Sequence, residues 1–262
     1  MIVRVDDASD PRVADYVGLR DGHTAAPVFM AEGITVLARL LESPYPVRSV
    51  FVSERKLARV EPLLEGLDVP LFVAHEDVLE ATVGFNIHRG VIAAADRLPL
   101  PEPSNLLRGA RRVAIVEALN DLENLGSLFR NAAAFGIDAV LLDPRTVDPL
   151  YRRIVRVSLG HVLHVPFARL EPWPDALDVV RAAGFTTLAL TPAANATPIA
   201  ELAAAPPERV AFVLGAEGPG LSRAALAAAD HRVRIPMVDT VDSVNVATAA
   251  ALAFSAFFPP PR

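Results

Sequence analysis

Short, continuous apolar runs alternate with helical patterns over most of the chain, and the alternation is clearest in its second half. There the candidate strands lie at residues 113–118, 137–142, 161–166, 186–190, 210–214 and 233–236. Continuous apolar strands separated by helices predict a mostly parallel sheet that is covered on both faces. In such sheets, ligands bind at the carboxyl ends of the strands. The pattern therefore predicts an α/β fold with its site in the loops that follow the strands.

A proline-rich stretch separates this region from the first part of the chain. Three prolines fall between residues 99 and 103, which is too dense for a helix interior or a central strand. We therefore place a linker at residues 98–109. Residues 1–97, where apolar and helical segments also alternate, are predicted to form a small α/β module, and residues 110–262 a larger α/β domain.

Composition narrows the class of protein. Of the 262 residues, 52% are hydrophobic and 21% are charged, a balance typical of folded proteins. The longest apolar tract, residues 244–258, is interrupted by polar side chains and is shorter than the ~20 residues of a membrane-spanning helix.

The first twenty residues contain four aspartates and no apolar signal region, so we expect a cytoplasmic protein. The absence of cysteine excludes disulfides, thiolate metal sites and a cysteine nucleophile.

The charges indicate local basic patches and not a uniformly basic surface. Lys and Arg number 25 against 31 Asp and Glu, and Lys56 is the sole lysine. A net charge of −6 argues against indiscriminate binding to polyanions, but arginine clusters can still bind RNA phosphates. Arg152 and Arg156 belong to the densest such run. For these two arginines, a solvated helix face or a subunit contact is the alternative to an RNA contact.

The first of three candidate site loops follows the strand at residues 113–118 and leads into a helix. Five apolar side chains there have the spacing of a helix face packed on a core: Leu125, Leu128, Phe129, Ala132 and Ala133. Arg130 lies off that face. Asn124 stands where an N-cap would accept hydrogen bonds from the first amides of the helix. On the residues alone, Arg130 could equally be a solvated arginine and Asn124 a plain cap.

Two further loops follow later strands. Residues 215–220 read GAEGPG, whose glycines allow positive φ angles and a close approach of backbone to a ligand beside Glu217. A tight turn with Glu217 in water is the alternative. After residue 235, Ser243 is placed to cap the last helix, whose amides near Val244 and Asn245 are then ready donors. A parallel sheet would bring all three loops to one crevice.

The histidines offer a poor metal site. His161 and His164 are three residues apart on the candidate strand at residues 161–166, so their side chains are expected on opposite faces. We therefore expect no bound metal.

Three stretches of the chain match the motifs of a known family in order and spacing. They read NLGSLFRNAAAFG, LGAEGPGLS and IPMVDTVDSVNVATAAA. These closely resemble the three motifs of the SpoU (TrmH-like) branch of the SPOUT RNA methyltransferases. The stretches DPLYRRIVRVSLG, AEGITVLARLL and HRGVIAA extend the similarity over nearly the whole chain. At Val244 the family usually has leucine, which is a conservative difference.

The resemblance implies a carboxy-terminal domain with a deep trefoil knot, S-adenosylmethionine as the cofactor, a homodimer, and methyl transfer to a ribose 2′-hydroxyl of ribosomal or transfer RNA. The amino-terminal module is implied to bind RNA. The catalytic motif positions are Asn124, Arg130, Glu217, Ser243 and Asn245. The cofactor pocket is implied to contain Leu214, Gly215, Gly218, Ile235, Met237, Val244 and Asn245. The side chains expected to contact RNA are Arg48, Arg55, Lys56, Arg59, Arg89, Arg152 and Arg156.

Chemistry narrows the reaction further. The loop after the strand at residues 113–118 has a single glycine, which disfavours a Rossmann-type methyltransferase. A chain without cysteine cannot methylate pyrimidine C5 through a thiolate adduct. Because an arginine keeps its proton at neutral pH, we favour electrostatic stabilisation of the ribose oxygen by Arg130 over general-base catalysis. A non-catalytic RNA-binding or antibiotic-shielding protein, and base methylation on a SPOUT fold, are the alternatives.

Overall fold

The structure, a computed structural model, describes residues 2–19, 27–87, 89–238 and 240–258. The strands within these residues are β1 (Ile2–Arg4), β2 (Val28–Glu32), β3 (Val47–Ser53), β4 (Leu71–Ala74), β5 (Val91–Asp96), β6 (Arg112–Glu117), β7 (Ala139–Leu142), β8 (Phe167–Arg169), β9 (Thr186–Leu190), β10 (Thr197–Pro198), β11 (Val210–Gly215) and β12 (His231–Arg234). The helices are α1 (Ile34–Leu41), α2 (Leu57–Val60), α3 (Glu76–Val83), α4 (Pro103–Gly109), α5 (Leu122–Ala134), α6 (Arg152–Val157), α7 (Leu177–Ala182), α8 (Ile199–Ala203), α9 (Arg223–Ala228) and α10 (Val246–Ala256).

The chain divides into two units, each built around its own sheet. The first unit contains residues 1–99 and residues 148–164, and the second contains residues 100–147 and 165–262. The segment that carries α6 therefore belongs to the first unit, although the surrounding sequence belongs to the second. The functional domain boundaries predicted from the sequence stay a prediction.

In the first unit, the described strands form a mixed sheet in the order β1-β4-β3-β5-β2. β1, β4 and β3 run parallel, whereas β5 is antiparallel to β3 and to β2. The sheet contributes to a buried apolar cluster that includes Tyr16, Phe51, Leu79 and Ile92. This mixed sheet with its helices agrees with the small α/β module that the apolar pattern predicts.

A buried charge holds α6 in the first unit. The Glu32 side chain, at the end of β2, is only 4% exposed, and its Oε2 accepts hydrogen bonds from Arg152 Nη1 at 2.6 Å and Arg156 Nη1 at 3.3 Å. The Arg152 guanidinium also lies 4.0 Å from the centre of the Phe85 ring, and burial lowers the pKa of Arg152. Both arginines are therefore partners of Glu32, and their contact with RNA stays a prediction.

In the second unit, the described strands form a seven-stranded sheet in the order β10-β12-β9-β11-β6-β7-β8, and each adjacent pair is parallel. The central strands β6 and β11 are buried along almost their whole length, as expected for a sheet covered on both faces. The predicted α/β class with a mostly parallel sheet is confirmed. Because these strands run in one direction, the loops after them emerge at one edge.

The predicted strand at residues 161–166 is wrong. Gly160, with a φ angle of +83°, leads into a 3-10 turn at His161–Leu163, and β8 begins only at Phe167. The turn buries its apolar side chains. Hydropathy alone does not distinguish a short buried turn from a short buried strand.

The histidines therefore do not lie on opposite faces of a strand. His164 Nε2 lies 2.8 Å from the backbone oxygen of Arg39. Among the described residues, no group of three His, Cys, Asp or Glu side chains could hold a metal ion.

The second half of the predicted linker is a helix. α4 begins at Pro103, with Glu102 as its N-cap residue. Proline suits the first helical position because no intrahelical hydrogen bond requires its amide there, and its φ angle is already close to helical. The density of prolines therefore marks the start of a helix as well as a connection.

Within the described part of the chain, no helix is long and apolar enough to cross a membrane.

Replacing Arg152 with alanine is expected to destabilise the first unit by about 2 kcal/mol. The loss is smaller than the ~3–5 kcal/mol of a fully broken buried pair, because Arg156 still faces Glu32. Native-state hydrogen exchange of the β2 and β5 amides measures the change. Arg55→Ala is the control, because its ion pair with Glu76 is exposed and worth at most ~1 kcal/mol. Equal effects of the two variants would contradict the structural role of Arg152.

Candidate active site

The loops after β9, β11 and β12 surround a cavity of about 500 Å³ at the carboxyl edge of the second unit's sheet. Its described lining consists of Leu190, Thr191, Pro192, Leu214, Gly215, Ala216, Glu217, Gly218, Gly220, Val233, Ile235, Met237, Asp242, Ser243, Val244, Asn245, Val246 and Ala249. Each residue predicted to bind the cofactor is part of this lining, and so are Glu217 and Ser243. Asn124 and Arg130 are not part of it.

The loop after β6 leads into α5, and Asp121 caps that helix. Asp121 Oδ1 accepts a hydrogen bond from the Asn124 amide at 2.8 Å, so the prediction that Asn124 is the N-cap is wrong. Asn124 lies in the first turn, almost fully buried. The predicted apolar face is confirmed at Leu125, Leu128, Phe129 and Ala132, which are fully buried, whereas Ala133 is half-buried.

Arg130 is exposed on the opposite side of α5 from this core. Its guanidinium forms no ion pair with another described residue. The next residue, Asn131, faces α10, and its Nδ2 donates a hydrogen bond to the Ala247 oxygen of that helix at 2.8 Å. α5 is thus fastened to α10 while Arg130 faces solvent.

The GAEGPG loop, residues 215–220, is a tight turn. The Gly220 amide donates to the Ala216 oxygen at 3.0 Å, which closes the loop on itself. A Cβ at Gly215 would lie 2.3 Å from the backbone of Gly220, so no side chain fits there. Gly218 has a φ angle of +83°, which favours glycine. The loop therefore presents its backbone to the cavity and Glu217 at its exposed tip.

Asn245, and not Ser243, caps α10. Asn245 Oδ1 accepts hydrogen bonds from the amides of Ala247 at 2.9 Å and Thr248 at 3.3 Å. The predicted capping role of Ser243 is therefore wrong, since the helix begins later than the predicted cap requires. Ser243 is an exposed part of the cavity rim.

One amide group joins the three loops. Asn245 Nδ2 donates to Asn124 Oδ1 at 2.7 Å and to Glu217 Oε1 at 2.5 Å. Since its Oδ1 caps α10, the donors and the acceptor of this side chain are all engaged within the protein. The structure thus brings together three of the five predicted catalytic positions, and Asn245 acts there as the connector.

Sequence reasoning missed several lining residues. Thr191 and Pro192 follow β9, and Asp242 precedes the Ser243 position. The hydropathy pattern predicts a strand that ends at residue 190. It does not predict that this strand lies next to β11, because strand order is not contained in the pattern. Asp121 was recognisable as a capping residue type, yet Asn124 offered the same chemistry three residues later.

A family model matches this part of the chain. The model described as the SpoU rRNA Methylase family matches residues 111–255, more than half of the chain. The chain belongs to the SpoU rRNA methylase family. The membership predicted from the three motifs is confirmed, and with it the general class of RNA methyltransferase.

Relatives of this SpoU methylase match nearly all of its length. The uncharacterized tRNA/rRNA methyltransferase Rv0881 of Mycobacterium tuberculosis is 47% identical over 257 residues, 95% of this chain and 89% of the relative. The 23S rRNA (guanosine(2553)-2′-O)-methyltransferase RlmP of Bacillus subtilis is 28% identical over 251 residues, 95% of this chain and 96% of that protein.

A solved structure shares the fold. The AdoMet-bound rRNA methyltransferase of Sinorhizobium meliloti matches with a TM-score of 0.81 at 22% identity, covering 98% of this chain and 97% of its own. The trefoil knot and the homodimer that the motif resemblance implies stay predictions.

The amino-terminal basic side chains of this SpoU methylase that are predicted to contact RNA differ in whether they form an ion pair within the protein. Arg48 donates to Asp96 at 2.6 Å, and Arg55 pairs with Glu76 at 3.0 Å. These ion pairs are exposed and can exchange for phosphate at low cost. The other predicted contacts are exposed or half-buried and form no ion pair with another described residue: Lys56, Arg59 and Arg89. RNA binding by the whole set stays a prediction.

Replacing Asn245 with aspartate is expected to destabilise the second unit by about 1–2 kcal/mol. The carboxylate can still cap α10, but it cannot donate to Asn124 or Glu217, and it places a second negative charge beside Glu217. The double variant Asn245→Asp/Glu217→Gln should recover part of the loss, because glutamine donates to the new carboxylate. Chemical denaturation measures both. A Ser243→Ala loss as large as that of Asn245→Asp would contradict the assignment of the cap.

Proposed function

We propose that this protein transfers a methyl group from S-adenosylmethionine to a ribose 2′-hydroxyl of ribosomal or transfer RNA. The observation that carries the proposal is the Asn124–Asn245–Glu217 cluster at the rim of the cavity, where the three family motifs meet. A hydrogen-bonded junction of three loops at the rim of a small-molecule cavity suits a reaction whose main requirement is alignment of two reactants.

The residues of the cavity fit this cofactor. A volume of about 500 Å³ lies within the range of small-molecule sites. Leu214, Val233, Ile235 and Met237 supply apolar walls, and the GAEGPG loop supplies backbone edges. A Cβ at Gly218 would meet no atom within 4 Å, so the glycine leaves open space there. When bound, S-adenosylmethionine supplies a methyl group activated by a sulfonium.

Arg130 is the residue we assign to the acceptor. Its exposed guanidinium has no ion pair within the described chain and is therefore available to a phosphate or a ribose oxygen. Because arginine keeps its proton, it cannot act as the general base. A fixed cation beside the 2′-oxygen would stabilise the charge that develops as the hydroxyl loses its proton to solvent water. The bidentate geometry of a guanidinium would also hold a neighbouring phosphate.

The choice of ribose over base is supported by the relative RlmP, which is a 2′-O-methyltransferase of 23S rRNA. The choice of S-adenosylmethionine is supported by the AdoMet-bound structure of similar fold. We also propose a homodimer, as the motif resemblance implies.

Calorimetric titration with S-adenosylhomocysteine and a methyl-transfer assay on ribosomal and transfer RNA test the function. Binding without transfer to any RNA would favour the non-catalytic RNA-binding or antibiotic-shielding protein.

Arg130→Ala is expected to abolish methyl transfer and to change cofactor affinity by less than ~1.4 kcal/mol, roughly tenfold. Arg130 does not line the cavity, so its loss should spare the cofactor. Arg130→Lys keeps the charge but not the planar fork, and should retain a small part of the activity. A methyl-transfer assay with labelled cofactor and calorimetry separate the two effects. Wild-type activity in Arg130→Ala would contradict the assignment.

A substrate in which only the target nucleotide is 2′-deoxy is expected to bind but not to be methylated. The substitution removes the acceptor oxygen and leaves base, phosphate and stacking contacts nearly intact. The target is first located by mapping 2′-O-methylation in a deletion strain. Filter binding and nucleoside mass spectrometry then give affinity and product. Methylation of the deoxy substrate at the wild-type rate would establish base methylation instead.

A further inference from the structure

A buried carboxylate lies beneath the site and takes no part in the three motif contacts described above. Glu117, at the carboxyl end of β6, is 2% exposed. Its Oε1 accepts hydrogen bonds from Arg145 Nη2 at 2.9 Å and from Trp173 Nε1 at 2.8 Å. Its Oε2 accepts one from the backbone amide of Ser222 at 2.8 Å. A carboxylate so enclosed is retained only where its hydrogen bonds compensate the loss of water.

The bond to Ser222 fastens the GAEGPG loop. Glu117 stands opposite Gly215 in the β6–β11 pairing, beside the first residue of the loop, and Ser222 follows its end. Ser222 also caps α9, through a hydrogen bond from the Ala225 amide to its Oγ at 3.1 Å. Glu117 therefore ties the exit of the loop to the strand beside its entrance, from below the cavity and without lining it.

The same network reaches the loop that precedes α5. Arg145 Nε donates to Asp143 Oδ2 at 3.2 Å. Asp143 is fully buried, and its Oδ1 accepts hydrogen bonds from the Ala118 amide at 2.8 Å and from Thr146 Oγ1 at 2.6 Å. Ala118 has a φ angle of +54°, a conformation that costs energy in a non-glycine residue. The carboxylate of Asp143 holds this strained turn immediately after Glu117.

We propose that Glu117 is a positioning residue for the cofactor: its hydrogen bond from the Ser222 amide fixes the position of the GAEGPG loop at the cavity. Arg145 and Trp173 orient its carboxylate, and Asp143 orients Arg145. The inference rests on the proposed function, because it assumes that the loop binds the cofactor. Its chemical content is specific, since an acceptor is required at the Oε2 position and an amide group cannot serve all three donors.

The test begins with Glu117→Gln. Glutamine has one side-chain oxygen, which can accept the hydrogen bonds from Arg145 and Trp173. Its NH₂ group then faces the N–H of Ser222, and two donors cannot form a hydrogen bond. The dissociation constant of S-adenosylhomocysteine, measured by calorimetry, should rise at least tenfold. Methyl transfer at saturating cofactor should stay within threefold of wild type, because Arg130 and the RNA side are unchanged. A general loss of structure would not produce this split between KM and kcat.

A second pair of variants removes the amide donor without altering Glu117. Ser222 has a φ angle of −61°, which proline adopts, so Ser222→Pro deletes the N–H and places a ring carbon against Glu117 Oε2 in its place. Ser222→Ala loses the cap of α9 but keeps the N–H. The proline variant should bind S-adenosylhomocysteine at least tenfold more weakly than the alanine variant. This pair decides the matter even if Glu117→Gln does not fold.

Asp230→Asn is the control for an exposed but hydrogen-bonded carboxylate at the opposite edge of the sheet. Asp230 Oδ2 accepts hydrogen bonds from the amide and the hydroxyl of Thr187, near the start of β9. This variant should lower the thermal midpoint and leave cofactor affinity within threefold. Glu117→Gln and Ser222→Pro binding as tightly as wild type would overturn the inference alone. Failure of the wild-type protein to bind S-adenosylhomocysteine would instead overturn the proposed function.

Discussion

The candidate site depends on one asparagine side chain. Asn245 uses its carbonyl oxygen to begin α10 and both hydrogens of its amide to hold Asn124 and Glu217. An aspartate could cap the helix but could not donate, and a serine could not reach three partners. Because the side chain offers a donor group and an acceptor group on one rigid plane, it fixes the relative positions of three loops that are distant in sequence. Each donor and acceptor is satisfied, so the junction is rigid as well as connected.

The parallel sheet makes this junction possible. β12, β9, β11 and β6 are consecutive neighbours, and their carboxyl ends meet at one edge. The loops after β11 and β12 line the cavity, whereas the loop after β6 contributes Asn124 from the side through Asn245. Two of the three motifs thus enclose the cavity, and the first connects it to the exposed face of α5. The order of the strands, and not the motifs themselves, produces this arrangement.

The fold class and the meeting of the three loops could be predicted from the sequence, because both follow from short-range patterns and from strand direction. The capping residues of α5 and α10 could not. Asp121 and Asn124 are equally suitable caps by type, as are Ser243 and Asn245, and the choice depends on where the backbone turns helical. The ion pair of Arg152 could not be predicted from the sequence pattern either, because its partner Glu32 lies far away in sequence. Long-range pairing of buried charges leaves no local signal.

The distribution of charge follows from the chemistry proposed for the site. In the proposed reaction Arg130 cannot remove a proton, so its part would be alignment and a fixed positive charge. Alignment requires loops that do not move, and exposed ion pairs, worth at most ~1 kcal/mol, cannot hold them. Charge-assisted hydrogen bonds to buried carboxylates contribute about 1.5–3 kcal/mol each. Glu117 and Asp143 supply such bonds beneath the loops, while Arg130 stays exposed on α5. The buried charges thus fix the geometry, and the exposed one remains available to the RNA.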